Sequence, residues 1–264
     1  MKRTTAALLA FVGLLGCEPR VIDALASTGG TGGTGTGMGG SDAHTAGASA
    51  SDALAYYGFD EGTGSSVHDG SGHGHDGSLL GGAWTEGRFG SAIRLAEPTG
   101  SAEHGILVDP FPQPQQNWSV SLWLLVDGPA LTGVSTVLST EVTFAGGWEI
   151  NLNPSDTPLA NVEFAYWVGD RYAKAACDCV TLGAWTHVVA VVDGSALTIQ
   201  LFHEGFATPA VSAAGKFMPG NPYLYMGRWG GTDRPLVGAL DEVAIFDRAL
   251  TSADIARLYS GVVP

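Results

Sequence analysis

Residues 186–203 read THVVAVVDGSALTIQLFH, and the reading of this stretch decides the fold. His187 to Val192 is a run dominated by β-branched valines, and Asp193-Gly194-Ser195 interrupts it. Leu197, Ile199 and Leu201 then alternate with polar residues on the way back. An Asp-Gly turn between two such runs specifies a β-hairpin, because it supplies the backbone conformations that a tight reversal needs. Outward from the hairpin, Val120–Val126 (VSLWLLV), Val162–Val168 (VEFAYWV) and Val237–Phe246 also read as strands, broken by Gly, Asp, Pro and Asn. Only the last dozen residues suggest a helix: Thr251 caps it, Asp254 completes a capping box, Ile255 and Leu258 form its apolar stripe, and Gly261 ends it. Many short strands at regular spacing predict an all-β fold, an antiparallel β-sandwich or jelly roll, over residues 53–264.

Composition sets the outer limits. Of 264 residues, 45% are hydrophobic and 14% charged, so the chain has the means to build a core. The net charge of −14 opposes nucleic-acid binding, which needs a basic stripe. It suits divalent cations, which take carboxylate and carbonyl oxygens, and equally suits the plain solubility of a secreted protein.

The first 16 residues, MKRTTAALLAFVGLLG, have a basic start and an apolar stretch too short to span a bilayer as a mature helix. Leu14-Leu15-Gly16-Cys17 resembles the bacterial lipobox, which implies a signal peptide over 1–16 and a lipidated Cys17. Several acyl chains anchor a protein stably where one does not, since each buried methylene contributes about 0.8 kcal/mol. Residues 17–52 continue into a Gly/Ser/Thr-rich linker, expected to be disordered with a reach on the order of 30 Å. The expected location is the cell envelope, outer membrane included, with the lipid as the only membrane attachment.

Further along, Tyr57-Gly58-Phe59-Asp60-Glu61-Gly62-Thr63-Gly64 precedes Asp69-Gly70-Ser71-Gly72-His73-Gly74-His75-Asp76-Gly77. Then come Gly87-Arg88-Phe89-Gly90-Ser91-Ala92, Trp118-Ser119-Val120-Ser121-Leu122-Trp123, Trp185-Thr186-His187-Val188 and Gly238–Leu250. In this order the motifs resemble laminin-G-like, concanavalin A-like jelly-roll domains. The resemblance implies a structural calcium between the opening loop and the closing strand, with Asp60, Asp69, the carbonyl of His75 and Asp241 as its ligands. The residues alone allow another reading, a Gly-rich turn held by Asx hydrogen bonds with Asp241 capping backbone amides. His73 and His75 stand where the family usually has Asn. Zinc at His68, His73 and His75 lacks a fixed tetrahedral set.

Chemistry elsewhere points to binding. Strand alternation puts Glu149, Asn151 and Asn153 on one face, with Glu163 and Trp167 on a neighbouring strand and Arg228 and Trp229 at the rim. Amides and carboxylates satisfy sugar hydroxyls, and an aromatic ring stacks on a pyranose. Glycosidases of this fold place three acids on one strand face, whereas two of the three positions here are amides. The expectation is therefore a lectin-like or adhesive module and no enzyme; a protein-binding or structural envelope role is the alternative, and hydrolysis ranks behind both. Cys177 and Cys179 are left as a pair once Cys17 is lipidated, either bonded to each other or free. A bond across one residue closes a tiny ring, and the Cys-x-x-Cys spacing is absent. His187 reads as a core histidine.

Overall fold

The computed structural model describes residues 52–96, 104–127, 133–141, 146–153, 159–196, 198–213, 215, 217–230 and 234–263. The expectations for the signal peptide, Cys17 and the linker lie outside them. Two antiparallel sheets form the sandwich. One runs Arg171–Thr181, Leu159–Val168, Trp148–Asn153, Ser135–Ser139, Leu224–Met226, Gly105–Val108, Gly77–Gly81 and Ser66–Val67. The other runs Phe206–Ala207, Thr198–His203, Thr186–Asp193, Asn117–Val126, Gly238–Phe246, Ser91–Leu95 and Ala83–Glu86. Ala55–Tyr57 joins Gly238–Phe246, and Val211–Ser212 joins Thr198–His203.

The hairpin explains its own sequence. Val188, Ala190 and Val192 face the core between the sheets, where Leu122, Ile150, Val162 and Phe164 meet them. Val189 and Val191 face the other way, into a second cluster with Phe246, Ile255 and Leu258. Both faces are buried, so the run is apolar throughout rather than alternating. Each such side chain contributes about 1.5–3 kcal/mol when fully buried.

The C-terminal helix, Ser252–Tyr259, covers that second cluster. Thr251 and Asp254 form the capping box, and Gly261 leaves the helix at φ +81°. Arg248 donates to Asp254 Oδ2 at 2.7 Å and holds its carboxyl down at about 2. His187 lies beneath the helix end, Nε2 at 2.9 Å from Ser121 Oγ, and its ring meets those of Trp123 and Tyr259, which stack on each other. Burial pushes it down to about 4, so it packs as a neutral ring.

One pairing matters for function. Ala55–Tyr57 runs antiparallel to the closing strand, with Tyr57 opposite Val243. The opening loop and Asp241 are thereby brought to the same end of the sheet.

Candidate binding face

The outer face of the eight-stranded sheet is built by register. Glu149 sits opposite Ala165 on one side and Ser139 on the other, and Ser139 sits opposite Tyr225. In the adjoining row Asn151 lies between Glu163 and Thr136, and in the next Asn153 lies opposite Asn161. The alternate residues Ile150, Leu152, Val162 and Phe164 fill the core, which turns the polar set outward.

Most of these groups are tied. Thr136 Oγ1 donates to Asn151 Oδ1 at 2.9 Å, and Lys174 Nζ donates to Glu163 Oε1 at 2.9 Å. Asn153 Nδ2 donates to Asn161 Oδ1 at 3.3 Å, and Asn161 Nδ2 donates to Asp178 Oδ1 at 3.0 Å. Trp167 Nε1 donates to Glu141 Oε1 at 3.2 Å, while Tyr172 Oη donates to Glu141 Oε2 at 2.6 Å. The rings of Trp167 and Tyr172 lie 4.5 Å apart. Glu149 differs. Its side chain is 6% exposed, its Oε2 receives no hydrogen bond, and Arg234 Nη1 stands 3.5 Å from that oxygen. Burial first, and Glu141 second, raise its carboxyl above the usual range. Arg234 also lies over the Trp229 ring at 5.2 Å. Arg228 is drawn away from solvent: it is buried, reaches the His104 carbonyl at 3.4 Å and lies over Tyr225.

Glu141, Tyr172 and Arg234 were not singled out in the sequence. Tyr172 had a signal: Gly169-Asp170 is a two-residue turn that sets Tyr172 opposite Trp167. Glu141 and Arg234 lie beyond strand ends, Arg234 at φ +58°, where periodicity carries no information.

In the opening loop and the closing strand the expected calcium ligands fall into two hydrogen-bonded groups. Asp69 accepts backbone N–H from Tyr56 and Ser71 on Oδ1 and from His75 on Oδ2, each at 3.0 Å. The His75 carbonyl accepts the Tyr57 hydroxyl at 2.7 Å. Both are thus engaged in the Asx-type turn that the residues alone allowed. Asp241 is only half engaged. Its Oδ2 accepts from Arg88 N at 2.7 Å and Phe89 N at 3.0 Å, but its Oδ1 is buried without a partner. Asp60 Oδ1 accepts Ser91 N at 2.9 Å from the same loop. Gly87 and Gly90 make the wrap possible: a Cβ would fall 2.6 Å from Asp241 Oδ2 and 2.0 Å from Asp60 Oδ1, respectively. Burial first, with the charge of Asp60 adding to it, raises Asp241 to about 7 and Glu242 to about 8. Glu242 holds φ +51° beside a bulge in the closing strand, a strained setting for a side chain of this kind. Among the described residues, no three His, Cys, Asp or Glu side chains are arranged to hold a metal ion. Of the four expected ligands, Asp241 is the one with a side-chain oxygen that is buried and without a hydrogen-bond partner.

Residues 100–256, more than half of the chain, match the profile of the concanavalin A-like lectin/glucanases superfamily. The chain belongs to this superfamily. Among solved structures the superfamily fold recurs in the binding domain of botulinum neurotoxin serotype D, at a TM-score of 0.64 and 14% identity over 80% of this chain and 52% of that one. The serotype G binding domain matches at 0.64 and 12% over 79% and 50%. The chain spans about half the length of these structures, and at such identity the likeness is one of fold. No curated protein matches the chain.

Within this member of the superfamily the histidines of the opening loop are occupied locally. His68 Nδ1 pairs with Asp76 at 3.0 Å and His73 Nδ1 lies 3.1 Å from Ser71 Oγ. Cys177 and Cys179 are bonded to each other.

Proposed function

We propose that the chain is a surface-displayed recognition module of the bacterial cell envelope, tethered by lipid at Cys17, whose outer sheet face binds glycan. The observation that carries this reading is Glu149: a buried carboxylate oxygen that stands 3.5 Å from the Arg234 guanidinium but receives no hydrogen bond, on a polar face bordered by Trp167, Tyr172 and Trp229. A sugar hydroxyl supplies the missing donor, Asn151 and Asn153 supply further polar contacts, and Trp167 offers its ring to the pyranose. The module binds without cleaving, because the strand bearing Glu149 continues with amides, and Glu141 is held by the Trp167 and Tyr172 donors. One calcium beside Asp241, with Asp60 next to it, belongs to the same reading.

The test is glycan-array binding by the intact chain in detergent, with calcium present. Saturable binding to a related set of sugars is expected, weakened about tenfold, or about 1.4 kcal/mol, by Trp167→Ala or Glu149→Gln. A folded, calcium-replete chain that retains no glycan overturns the reading. For the anchor, Cys17→Ala is expected to move the protein from the membrane fraction to the soluble one. Continued sedimentation with membranes removes the lipid tether.

A further inference from the structure

The disulfide between Cys177 and Cys179 spans a single residue, Asp178, in the strand Arg171–Thr181. That strand is the edge of the eight-stranded sheet, and both cysteines lie at the rim of the core, packed against it on one side and partly exposed on the other. Pairing is regular up to Asn161 opposite Asp178, then jumps to Ala160 opposite Val180, so Cys179 has no partner of its own. The bond and this bulge fall at the same place. In an extended strand, residues two apart are separated by about 6.6 Å, whereas the Cα atoms of Cys177 and Cys179 are 5.3 Å apart. The chain must contract locally for the sulfurs to meet, and a bulge is the contraction a strand offers.

Such a bond is poorly suited to stapling the fold. The entropy a cross-link removes from the unfolded chain grows with the loop it closes, and this loop holds a single intervening residue. Disulfides that exchange are those a thiolate can reach, and the edge position leaves this pair partly open to solvent. Asp178, inside the ring, accepts from Asn161, whose own Oδ1 accepts from Asn153. The ring therefore fixes one end of a polar row that runs across the outer face.

We infer that Cys177–Cys179 is a thiol–disulfide exchange site, open to a dithiol reductant in the folded state, and that its reduction releases the Asp178–Asn161–Asn153 row. One thiolate of the reductant attacks a sulfur of the pair and the S–S bond breaks. A mixed disulfide forms, and the other cysteine leaves as a thiolate. The second thiolate of the reductant then displaces the remaining cysteine and closes the reductant's own disulfide. Two electrons and two protons pass to the pair, which ends as two thiols. The inference does not depend on which ligand the face takes.

The test uses the intact chain with any free thiol first blocked by N-ethylmaleimide, then incubated with dithiothreitol and labelled again. Two further labels are expected by mass spectrometry while near-UV circular dichroism stays native, and removal of the reductant with oxidised glutathione restores the bond. Hydrogen exchange is expected to quicken about tenfold at the amides of 159–163 and 176–180, with those of 186–193 unchanged. A pair that resists reduction until denaturant is added overturns the exchange site. Ready reduction with no change in amide exchange overturns its hold on the row.

Discussion

In chelator, the protein is expected to lose stability as the pH rises toward 8, and calcium is expected to restore it. The carboxyl of Asp241 is raised from its ordinary 3.8 to about 7, chiefly by burial, against the pull of the Phe89 and Arg88 N–H groups. Glu242 follows to about 8 for the same reason. A raised carboxyl keeps its proton in the folded state after the unfolded chain has released it. Its contribution to stability is therefore complete below about pH 4 and is lost as the pH climbs to the folded value. At about 1.4 kcal/mol per unit, Asp241 alone accounts for up to about 4 kcal/mol by pH 7. A divalent cation at the open Oδ1 reverses the sign by favouring the ionised form. His187 slopes the opposite way between pH 4 and 6.5, since its neutral form is the one that fits. The comparison is therefore made between wild type and Asp241→Asn, in which His187 is common to both. The amide keeps an oxygen for Arg88 and Phe89 but cannot ionise. In EDTA at pH 8, Asp241→Asn is expected to melt several degrees above wild type; in calcium the order reverses. Wild-type melting curves that coincide in the two media remove the cation, and an Asn variant no more stable in EDTA removes the raised carboxyl.

How far the sequence reaches depends on whether a residue's place is set by periodicity or by backbone irregularity. The hairpin at Asp193-Gly194, the strand alternation through Glu149, Asn151 and Asn153, and the capping box at Thr251 follow local rules, and all three stand in the structure. The sandwich itself was legible for that reason. The binding face was half legible. Alternation turns Asn151 and Trp167 outward, but nothing local tells that Arg234 reaches Glu149 or that Glu141 lies under Trp167. Both come from segments outside regular strands, and the contacts join residues far apart in the chain. The opening loop shows the same limit. Resemblance groups Asp60, Asp69, His75 and Asp241, but nothing in it tells that Asp69 accepts the backbone amides of Tyr56, Ser71 and His75. An Asx turn forms from neighbours in sequence and needs no ion.

Trp118→Ala is expected to be among the most damaging single changes in the chain, and Trp118→Phe far milder. Trp118 is fully buried, and Trp148, Phe164, Phe217 and Tyr166 surround it at ring separations of 5.2, 5.4, 6.0 and 6.3 Å. It joins the two sheets, since its own strand pairs with the hairpin while Trp148 and Phe164 belong to the opposite layer. Truncation to Ala removes that bridge and enlarges a pocket of about 590 Å³ that Trp118, Tyr166 and Phe217 already line. Loss of a buried aromatic on this scale costs about 3–5 kcal/mol, because the surrounding rings collapse only in part. For a domain of this size that lowers the melting temperature by about 10 °C. The indole N–H makes no hydrogen bond. Replacing it with a benzyl ring therefore gives up packing area and no polar partner, and removes a buried donor that is itself unfavourable. Trp118→Phe is expected to cost less than half as much as Trp118→Ala in urea unfolding at constant m-value. Equal losses for the two variants would mean that the N–H has an acceptor, such as water held in the pocket, and that polar satisfaction rather than packing makes this residue a tryptophan.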